Sequence, residues 1–323
     1  MKLQLNFQRL ALRHTYLFAL LLLIIAVLVN YALQDNLFQL RVLNGNLRVF
    51  LPLMLLAAGQ TIVIIGGGID LSVGAMVSLV NAILVTNMTT GGPPEQLAVA
   101  FALALGAGLL AGAFNGLCVA YLRLQPIVTT YATSFVFSGI ALLILPRPGG
   151  EVQAELPRLY RSTPADIPFA AYVIFALILF WLLLRTTRYA QFLYATGGKA
   201  DAAYATGVPV NRVRFSTYVW SGLFAALAGL ALTMQTGSGA PRIGDPMTLD
   251  SIVAVVLGGT RLSGGQGGVL GTVIGVAILG IIRNIISFAN VDTWSQDLVK
   301  ALIIVVALAG PGIIRLIRRV RLW

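Results

Sequence analysis

The chain has 323 residues, of which 58% are hydrophobic and 10% are charged, and its mean hydropathy is +0.89. So little polar surface excludes a water-soluble globule of this size and indicates a protein that folds in a membrane. The net charge of +11 does not indicate a nucleic-acid partner, because the basic residues form no stripe with interleaved aromatic residues.

Apolar stretches near the roughly 20 residues that a helix needs to cross a bilayer recur along the chain. The stretch at 250–259 is short and a glycine-rich break follows it, so that both nine and ten crossings fit. The first stretch follows a basic start without a clear small-residue cleavage site, which predicts an uncleaved first helix. In chain order, the stretches cover approximately residues 16–33, 47–66, 73–89, 97–122, 126–146, 168–185, 214–234, 250–259, 267–288 and 298–316.

The distribution of basic residues predicts the orientation, because short cytoplasmic connections collect Lys and Arg. Ten crossings that start inside leave 8 of the 22 basic residues outside. We therefore expect an all-α membrane protein of about ten transmembrane helices, a single transmembrane domain over 1–323, with both termini in the cytoplasm. The other 14 basic residues are then cytoplasmic: Lys2, Arg9, Arg13, Arg123, Arg185, Arg188, Lys199, Arg212, Arg214, Arg261, Arg315, Arg318, Arg319 and Arg321.

Residues for catalysis or metal binding are scarce. Nucleophilic and metal chemistry need converging His, Cys or carboxylate groups, and the chain has one histidine, His14, and one cysteine, Cys118. Residues 262–266 spell L-S-G-G-Q, a signature of ABC ATPase domains, but the chain lacks the phosphate-binding loop that such a domain requires. We expect no enzyme activity, no cofactor and no metal, and any ATP to be bound by another subunit.

Two glycine-rich segments interrupt apolar helices. At residues 66–74, G-G-G-I-D-L-S-V-G, glycines end one helix, and Asp70 or Ser72 is expected to cap the next helix by accepting its free N–H groups. The same stop and restart recurs at 258–265, G-G-T-R-L-S-G-G. Interrupted helices are a pointer to the substrate site in transporters. The first break gives a candidate motif of five residues: Gly67, Gly68, Asp70, Ser72 and Gly74.

Four stretches in this order resemble a known family. They are residues 67–74, G-G-I-D-L-S-V-G; 124–130, L-Q-P-I-V-T-T; 194–208, Y-A-T-G-G-K-A-D-A-A-Y-A-T-G-V; and 249–260, L-D-S-I-V-A-V-V-L-G-G-T. The chain is thereby similar to the permease subunits of ribose-, xylose- and galactofuranose-type sugar ABC importers, which are inner-membrane components of binding-protein-dependent transport systems.

The resemblance is not complete. Ile127 replaces the Phe that is usual in the second stretch, and Lys199 stands where Asn is common in the third. The related branched-chain amino-acid permeases typically carry a G-x-I-N-F-A-H-G-like version of the first stretch. Asp70 and Ser72 therefore favour sugar as the substrate, and an ABC permease for branched-chain amino acids is the alternative.

The resemblance implies an ABC-importer permease fold with interrupted helices in the bacterial inner (plasma) membrane. It implies ATP-binding ABC subunits in the cytoplasm, a periplasmic or extracellular sugar-binding protein, and a second permease copy or sister permease that completes a dimer in membrane lipid. The function expected is to form the translocation pathway of an ATP-driven monosaccharide importer. An ion-coupled secondary transporter is the rival from another class, for which Asp70 is the single ionisable candidate within the membrane.

The connection from Arg185 to Arg214 is the longest one expected in the cytoplasm. Within it, the Ala-rich run before Gly207 and Pro209 predicts a short helix. We expect one face of this helix, with Ala200, Ala203 and Tyr204 at i, i+3, i+4 spacing, to enter a groove on an ATPase subunit; a helix resting on lipid is the alternative. The candidate docking loop comprises Lys199, Ala200, Asp201, Ala203, Tyr204 and Gly207.

A pathway for neutral sugars needs amides and hydroxyls rather than charges. The polar residues in or beside the apolar stretches are candidates for it, with hydrogen bonds between helices as the alternative role for each and helix capping as the alternative for the aspartate. Arg283 is expected to extend its side chain to the lipid headgroups. The candidate pathway residues are Gln60, Thr61, Asp70, Asn81, Asn115, Thr129 and Thr130.

Overall fold

A computed structural model describes residues 16–289 and, beyond them, residues 292, 295, 296, 298, 299, 301, 302 and 305. Over this part of the chain the regular structure is helical, and one isolated bridge joins Gly149 to Gly239. In chain order the helices are α1 Tyr16–Leu33, α2 Leu40–Ile65, α3 Val73–Thr86, α4 Pro94–Ala120, α5 Pro126–Ile144, α6 Glu155–Arg161, α7 Phe169–Arg185, α8 Arg188–Gly198, α9 Ala200–Ala205, α10 Val210–Thr236, α11 Asp245–Leu257 and α12 Val269–Phe288.

Local sequence explains many of the helix ends. Pro94 and Pro126 occupy the first turns of α4 and α5. The N–H groups of a first turn have no partner within the helix, so proline loses no hydrogen bond there, and its fixed φ suits the helix. Helix α10 ends at Gly237, which has a left-handed φ of 66°, as helix ends commonly do. Each of the nine apolar stretches predicted between residues 16 and 288 overlaps one helix, and most of the stretch at 298–316 lies outside the described residues.

The number of helices that are long and apolar enough to span a membrane is smaller than the ten crossings expected from the sequence. Within the described residues, five helices are long and apolar enough to cross a membrane: α2, α4, α5, α10 and α12. The pair α7 and α8, bent by 81°, raises the number to six if it forms one broken span. Phe18–Leu33 and Val73–Thr86 are shorter apolar helices. The chain is therefore an all-α membrane protein, and the expected ten crossings remain a prediction.

Helix α2 lies at the centre of the bundle. Its most apolar window is 89% buried by the rest of the chain, against 28% for α4 and for α5. Helix α10 packs along α2, α3 and α4, and α12 packs against α1, α2 and α11. The outer helices α4 and α5 thus keep apolar surface for lipid or another protein, whereas α2 is enclosed.

Candidate functional site: two helix breaks and a glycine junction

The two predicted helix breaks share one backbone geometry. After α2, the N–H groups of residues 66, 67 and 68 donate to the carbonyls of residues 62, 64 and 63 at 3.1, 3.0 and 3.0 Å. After α11, residues 258, 259 and 260 donate to 254, 256 and 255 at 2.9, 2.9 and 3.1 Å. The turn requires a positive φ, +85° at Gly67 and +86° at Gly259, which glycine adopts without strain. The same local chain reversal therefore ends both helices.

Of the two residues expected to cap the helix after the first break, Ser72 does not do so. Ser72 is the N-cap residue of α3, but its side chain accepts no N–H of that helix. Its hydroxyl instead donates to Asp70 Oδ1 at 2.6 Å, and its own N–H donates to the same oxygen at 2.9 Å. The free N–H of Gly74 donates to the hydroxyl of Thr248, 3.1 Å away at the start of α11. Thr248 of a neighbouring helix thus accepts an N–H group for which the sequence predicted a local acceptor.

Asp70 is the centre of a buried hydrogen-bond network. Its second oxygen, Oδ2, accepts the Ser221 hydroxyl of α10 at 2.8 Å. From Ser72 the network continues to Asn115 of α4, whose amide donates to the Ser72 hydroxyl at 2.8 Å, and to Thr133 of α5, which donates to the Asn115 oxygen at 2.8 Å. Both carboxylate oxygens are thereby satisfied, as a buried group requires. The network fixes the α2–α3 break against three helices.

Glycines from three parts of the chain meet beneath the first break. The N–H of Gly265 donates to the last carbonyl of α2, that of Ile65, at 2.9 Å. A Cβ on Gly197, at the end of α8, would lie 1.7 Å from the same oxygen. A Cβ on Gly264 would lie 3.0 Å from the Cα of Gly67 and 2.6 Å from the oxygen of Gly197. We call Gly67, Gly197, Gly264 and Gly265 the glycine junction; it brings L-S-G-G-Q into direct backbone contact with both the first break and α8.

The candidate pathway residues do not form one group. Asp70, Asn115 and Thr130 come together, because Thr130 accepts the N–H of Leu71 at 2.9 Å. Thr61 bonds to Thr272 of α12 at 2.7 Å. All seven candidates are buried, and six make hydrogen bonds within the chain; five of these six bond to another part of the bundle, close to the alternative role of helix-to-helix bonding.

The three remaining candidates, Asn81, Thr129 and Gln60, are not bonded to the Asp70 network within the residues that the structure describes. Asn81 donates to Thr233 at 2.8 Å and accepts the N–H of Ala240 at 2.9 Å. Thr129 donates to the carbonyl of Gln125 in its own helix at 2.8 Å. The exception to satisfied bonding is Gln60, which is fully buried in α2 with neither amide atom bonded in the described part of the chain. Among the described residues, no group of three His, Cys, Asp or Glu could hold a metal.

Comparison with known proteins decides the family. Residues 42–308 match the family described as the permease component of the branched-chain amino acid transport system. The chain belongs to this permease family. It is 38% identical to the ribose import permease protein RbsC of Bacillus subtilis, over 78% of this chain and 79% of that protein. It is 33% identical to RbsC of Escherichia coli K12, over 90% and 91%, and 36% identical to the galactofuranose transporter permease protein YtfT of that strain, over 84% and 80%.

No solved structure matches this permease. The family consists of transport components rather than enzymes, and with the apolar helices it identifies the chain as an integral protein of the bacterial inner membrane. The four resembling stretches fall within the matched residues 42–308, so that the family resemblance stated from the sequence is confirmed.

The short helix expected between Arg185 and Arg214 is present as α9. Lys199 lies between α8 and α9 and is the N-cap residue of α9. The expected contact face is wrong in one respect: Ala203 is 6% exposed and packs into the interior, whereas Tyr204 is 75% exposed. The helix is seated on the bundle through Ala203, so its free surface is formed by Asp201, Ala202, Tyr204 and Ala205.

Sequence reasoning missed two further polar contacts of the permease. Arg283 of α12 forms an ion pair with Asp250 of α11, whereas the sequence suggested only an extension of Arg283 to the headgroups, which stays a prediction. The sequence did contain a signal for this pair, because opposite charges in two adjacent apolar stretches tend to pair when they are buried. Ser221 of α10, which bonds to Asp70, had no sequence signal, because a serine in an apolar stretch also serves as a small packing residue.

Proposed function

We propose that this protein is the transmembrane permease subunit of an ATP-driven monosaccharide importer. The relatives that are ribose and galactofuranose permeases support sugar over amino acid, as do Asp70 and Ser72 in the first motif. The protein assembles with ATP-binding subunits, a sugar-binding protein outside the membrane, and a second permease. About ten crossings, one domain over 1–323 and both termini in the cytoplasm belong to the same proposal.

The observation that carries the coupling part of this proposal is the position of α9. Its exposed surface is available to a cytoplasmic partner. Of the residues that precede it, Gly197 belongs to the glycine junction and Gly198 lies against Gly265 of that junction. A push on α9 would reach the α2–α3 break through backbone contacts, which cannot give way by a change of rotamer as side chains do. ATPase subunits that move during hydrolysis would thus move the segment that holds Asp70.

Tyr204 offers the sharpest test of docking. Because 75% of its surface is free, Tyr204→Ala removes contact area without disturbing the permease interior. We expect ATPase pull-down and sugar-stimulated ATPase activity to fall at least several-fold while membrane insertion stays normal. Tyr172→Ala is the matched control, since Tyr172 is an exposed tyrosine at the start of α7. Equal pull-down by wild type and Tyr204→Ala would contradict docking through α9.

Within the bundle, we propose Gln60 as the first candidate for sugar contact. A buried amide without partners costs about 1–3 kcal/mol, and a sugar hydroxyl could satisfy both of its atoms. Gln60→Leu should leave the amount of assembled complex unchanged and lower uptake severalfold. Asn81→Leu is the comparison, because Asn81 is bonded within the chain and its loss should reduce assembly instead. Full uptake by Gln60→Leu would remove Gln60 from the pathway.

Substrate and energy source are tested on the whole complex. The protein should co-purify with its partners, and the bound compound recovered from the binding protein should be a monosaccharide. A branched-chain amino acid in that position would favour the alternative substrate class. Uptake should persist after a proton ionophore is added while ATP lasts, and immediate collapse would favour an ion-coupled transporter. Reporter fusions after Arg188 and Arg321 should read cytoplasmic, and a fusion after Glu155 periplasmic.

A further inference from the structure

An open cavity of about 590 Å³ lies between the α2–α3 break, the connection from α4 to α5, helix α9 and the first turns of α10. Gly66, Gly67 and Gly68 form one wall, and Gln125, Asn211 and Thr217 supply neutral polar groups on others. None of the seven candidate pathway residues lines it. The cavity is therefore separate from the network around Asp70, although both adjoin the same helix break.

The charge of the cavity wall is predominantly positive. Arg123, just after α4, and Arg214, in α10, both line the cavity. Asp201 of α9 is the acidic residue of the lining. Neither guanidinium donates a hydrogen bond or forms an ion pair within the part of the chain that the structure describes. Two unpaired guanidinium groups at one cavity favour a ligand with an oxyanion, to which arginine binds with two parallel hydrogen bonds.

The backbone of Arg123 gives an independent reason to look for a role. Arg123 follows α4 with a left-handed φ of 57°, where the N–H groups of Leu122 and Leu124 close the helix end by donating to the carbonyls of Leu117 and Cys118 at 3.1 Å each. Glycine is the residue that favours this conformation, and a larger L-residue in it is strained. Arginine at a glycine position indicates that its side chain is used.

Tyr218 of α10 supplies an unpartnered hydroxyl at the same wall. Its side chain is 1% exposed, and its oxygen Oη has no hydrogen-bond partner among the described residues. Gly68 leaves the room for that oxygen, because a Cβ at residue 68 would lie 2.5 Å from it. Buried hydroxyls are normally bonded, and this hydroxyl, free of partners in the described part of the chain, can donate to a ligand in the cavity.

We propose that this cavity binds a small phosphate-bearing anion, held by Arg123 and Arg214 and by a hydrogen bond from the Tyr218 hydroxyl. Neither sugar passage nor ATPase docking requires such a site, so the inference goes beyond the proposed function. Because α9, which the proposed topology places in the cytoplasm, lines the cavity, the phosphate could belong to a soluble compound or to a lipid headgroup. The chemistry of recognition is the same for both sources.

The test titrates inorganic phosphate into the full-length permease in nanodiscs of phosphatidylcholine, by calorimetry and without sugar or ATPase subunits. Saturable binding is expected, and Arg123→Gly and Arg214→Gln should each raise Kd about tenfold or more, the usual effect of removing a charged hydrogen-bond donor. Tyr218→Phe should weaken binding by a smaller factor. Arg188→Gln is the control, since Arg188 is exposed outside the cavity, and its Kd should equal that of wild type.

Arg123→Gly separates binding from folding, because glycine fits the left-handed φ and should leave the thermal midpoint equal to that of wild type or higher. A second arm replaces part of the phosphatidylcholine by phosphatidylglycerol in phosphate-free buffer. Stabilisation of wild type but not of Arg123→Gly in that arm would identify a lipid headgroup as the ligand. No saturable binding of phosphate together with no lipid-dependent difference, or equal Kd values in wild type and both arginine variants, would overturn the proposal.

Discussion

The N–H of Gly265 donates a hydrogen bond of 2.9 Å to the carbonyl of Ile65, and this bond joins the two helix breaks of the permease. Ile65 is the last residue of α2, and Gly265 lies in the segment between α11 and α12. Gly197 of α8 lies against both groups. The end of the central helix, the second break and the helix that precedes α9 therefore cannot move independently without breaking a backbone contact.

Substitution of Gly197 by alanine should disrupt this contact. A Cβ there would lie 1.7 Å from the Ile65 oxygen and 2.8 Å from the Gly265 nitrogen, and backbone atoms cannot be displaced as side chains can. Overpacking typically costs about 1–3 kcal/mol or more, so the thermal midpoint of Gly197→Ala should fall by several degrees. Gly198→Ala is the neighbouring control, since its Cβ would meet nothing within 4 Å; equal losses in both variants would disprove the steric explanation.

Two adjacent alanines of α9 should respond differently to glutamate. Ala202 is exposed and Ala203 is buried, so Ala203→Glu inserts an unpaired charge into the interior and should lower the yield of folded permease. Ala202→Glu should leave folding intact and weaken ATPase pull-down, because it changes only the free surface. Size-exclusion profiles and pull-down measured on both variants check this. Normal folding of Ala203→Glu would contradict the inward position of that residue.

Asp70 should tolerate replacement by asparagine better than by leucine. The carboxylate accepts three hydrogen bonds, from the Ser72 N–H, the Ser72 hydroxyl and the Ser221 hydroxyl. Asparagine keeps one oxygen for Ser72, and the Ser221 hydroxyl can rotate to accept from the new NH₂ group. Asp70→Leu leaves buried donors unsatisfied, at about 1–3 kcal/mol. Thermal unfolding in detergent should therefore rank wild type near Asp70→Asn and both above Asp70→Leu; equal midpoints for the two variants would contradict the network.

Neutralising Arg283 should destabilise the packing of α11 on α12. The Asp250 side chain is 5% exposed whereas that of Arg283 is 48% exposed, so solvent screens part of the attraction. Arg283→Gln leaves a buried carboxylate, and a loss of roughly 1–2 kcal/mol is expected after that screening. Adding Asp250→Asn should recover part of the loss in a double-mutant cycle. Additive effects of the two substitutions would mean that the pair is not coupled.

The sequence by itself determined where the apolar helices and the two breaks lie. Helix length follows from the bilayer thickness that an apolar stretch must match, and Gly66–Gly68 and Gly258–Gly259 end helices by local backbone preference. The family followed from residues 67–74 and 249–260, because these motifs are continuous in the chain. All of these features depend on residues that are neighbours in sequence.

The tertiary structure alone decided which surfaces meet. Lipid is as apolar as a protein core, so hydropathy does not distinguish a helix face that packs on protein from one that faces lipid. The inward position of Ala203, the bond between Asp70 and Ser221 across 151 residues, and the meeting of Gly197 with Gly265 all depend on how the helices pack. Small residues permit close contacts at many places, and only the packed bundle determines which of those contacts form.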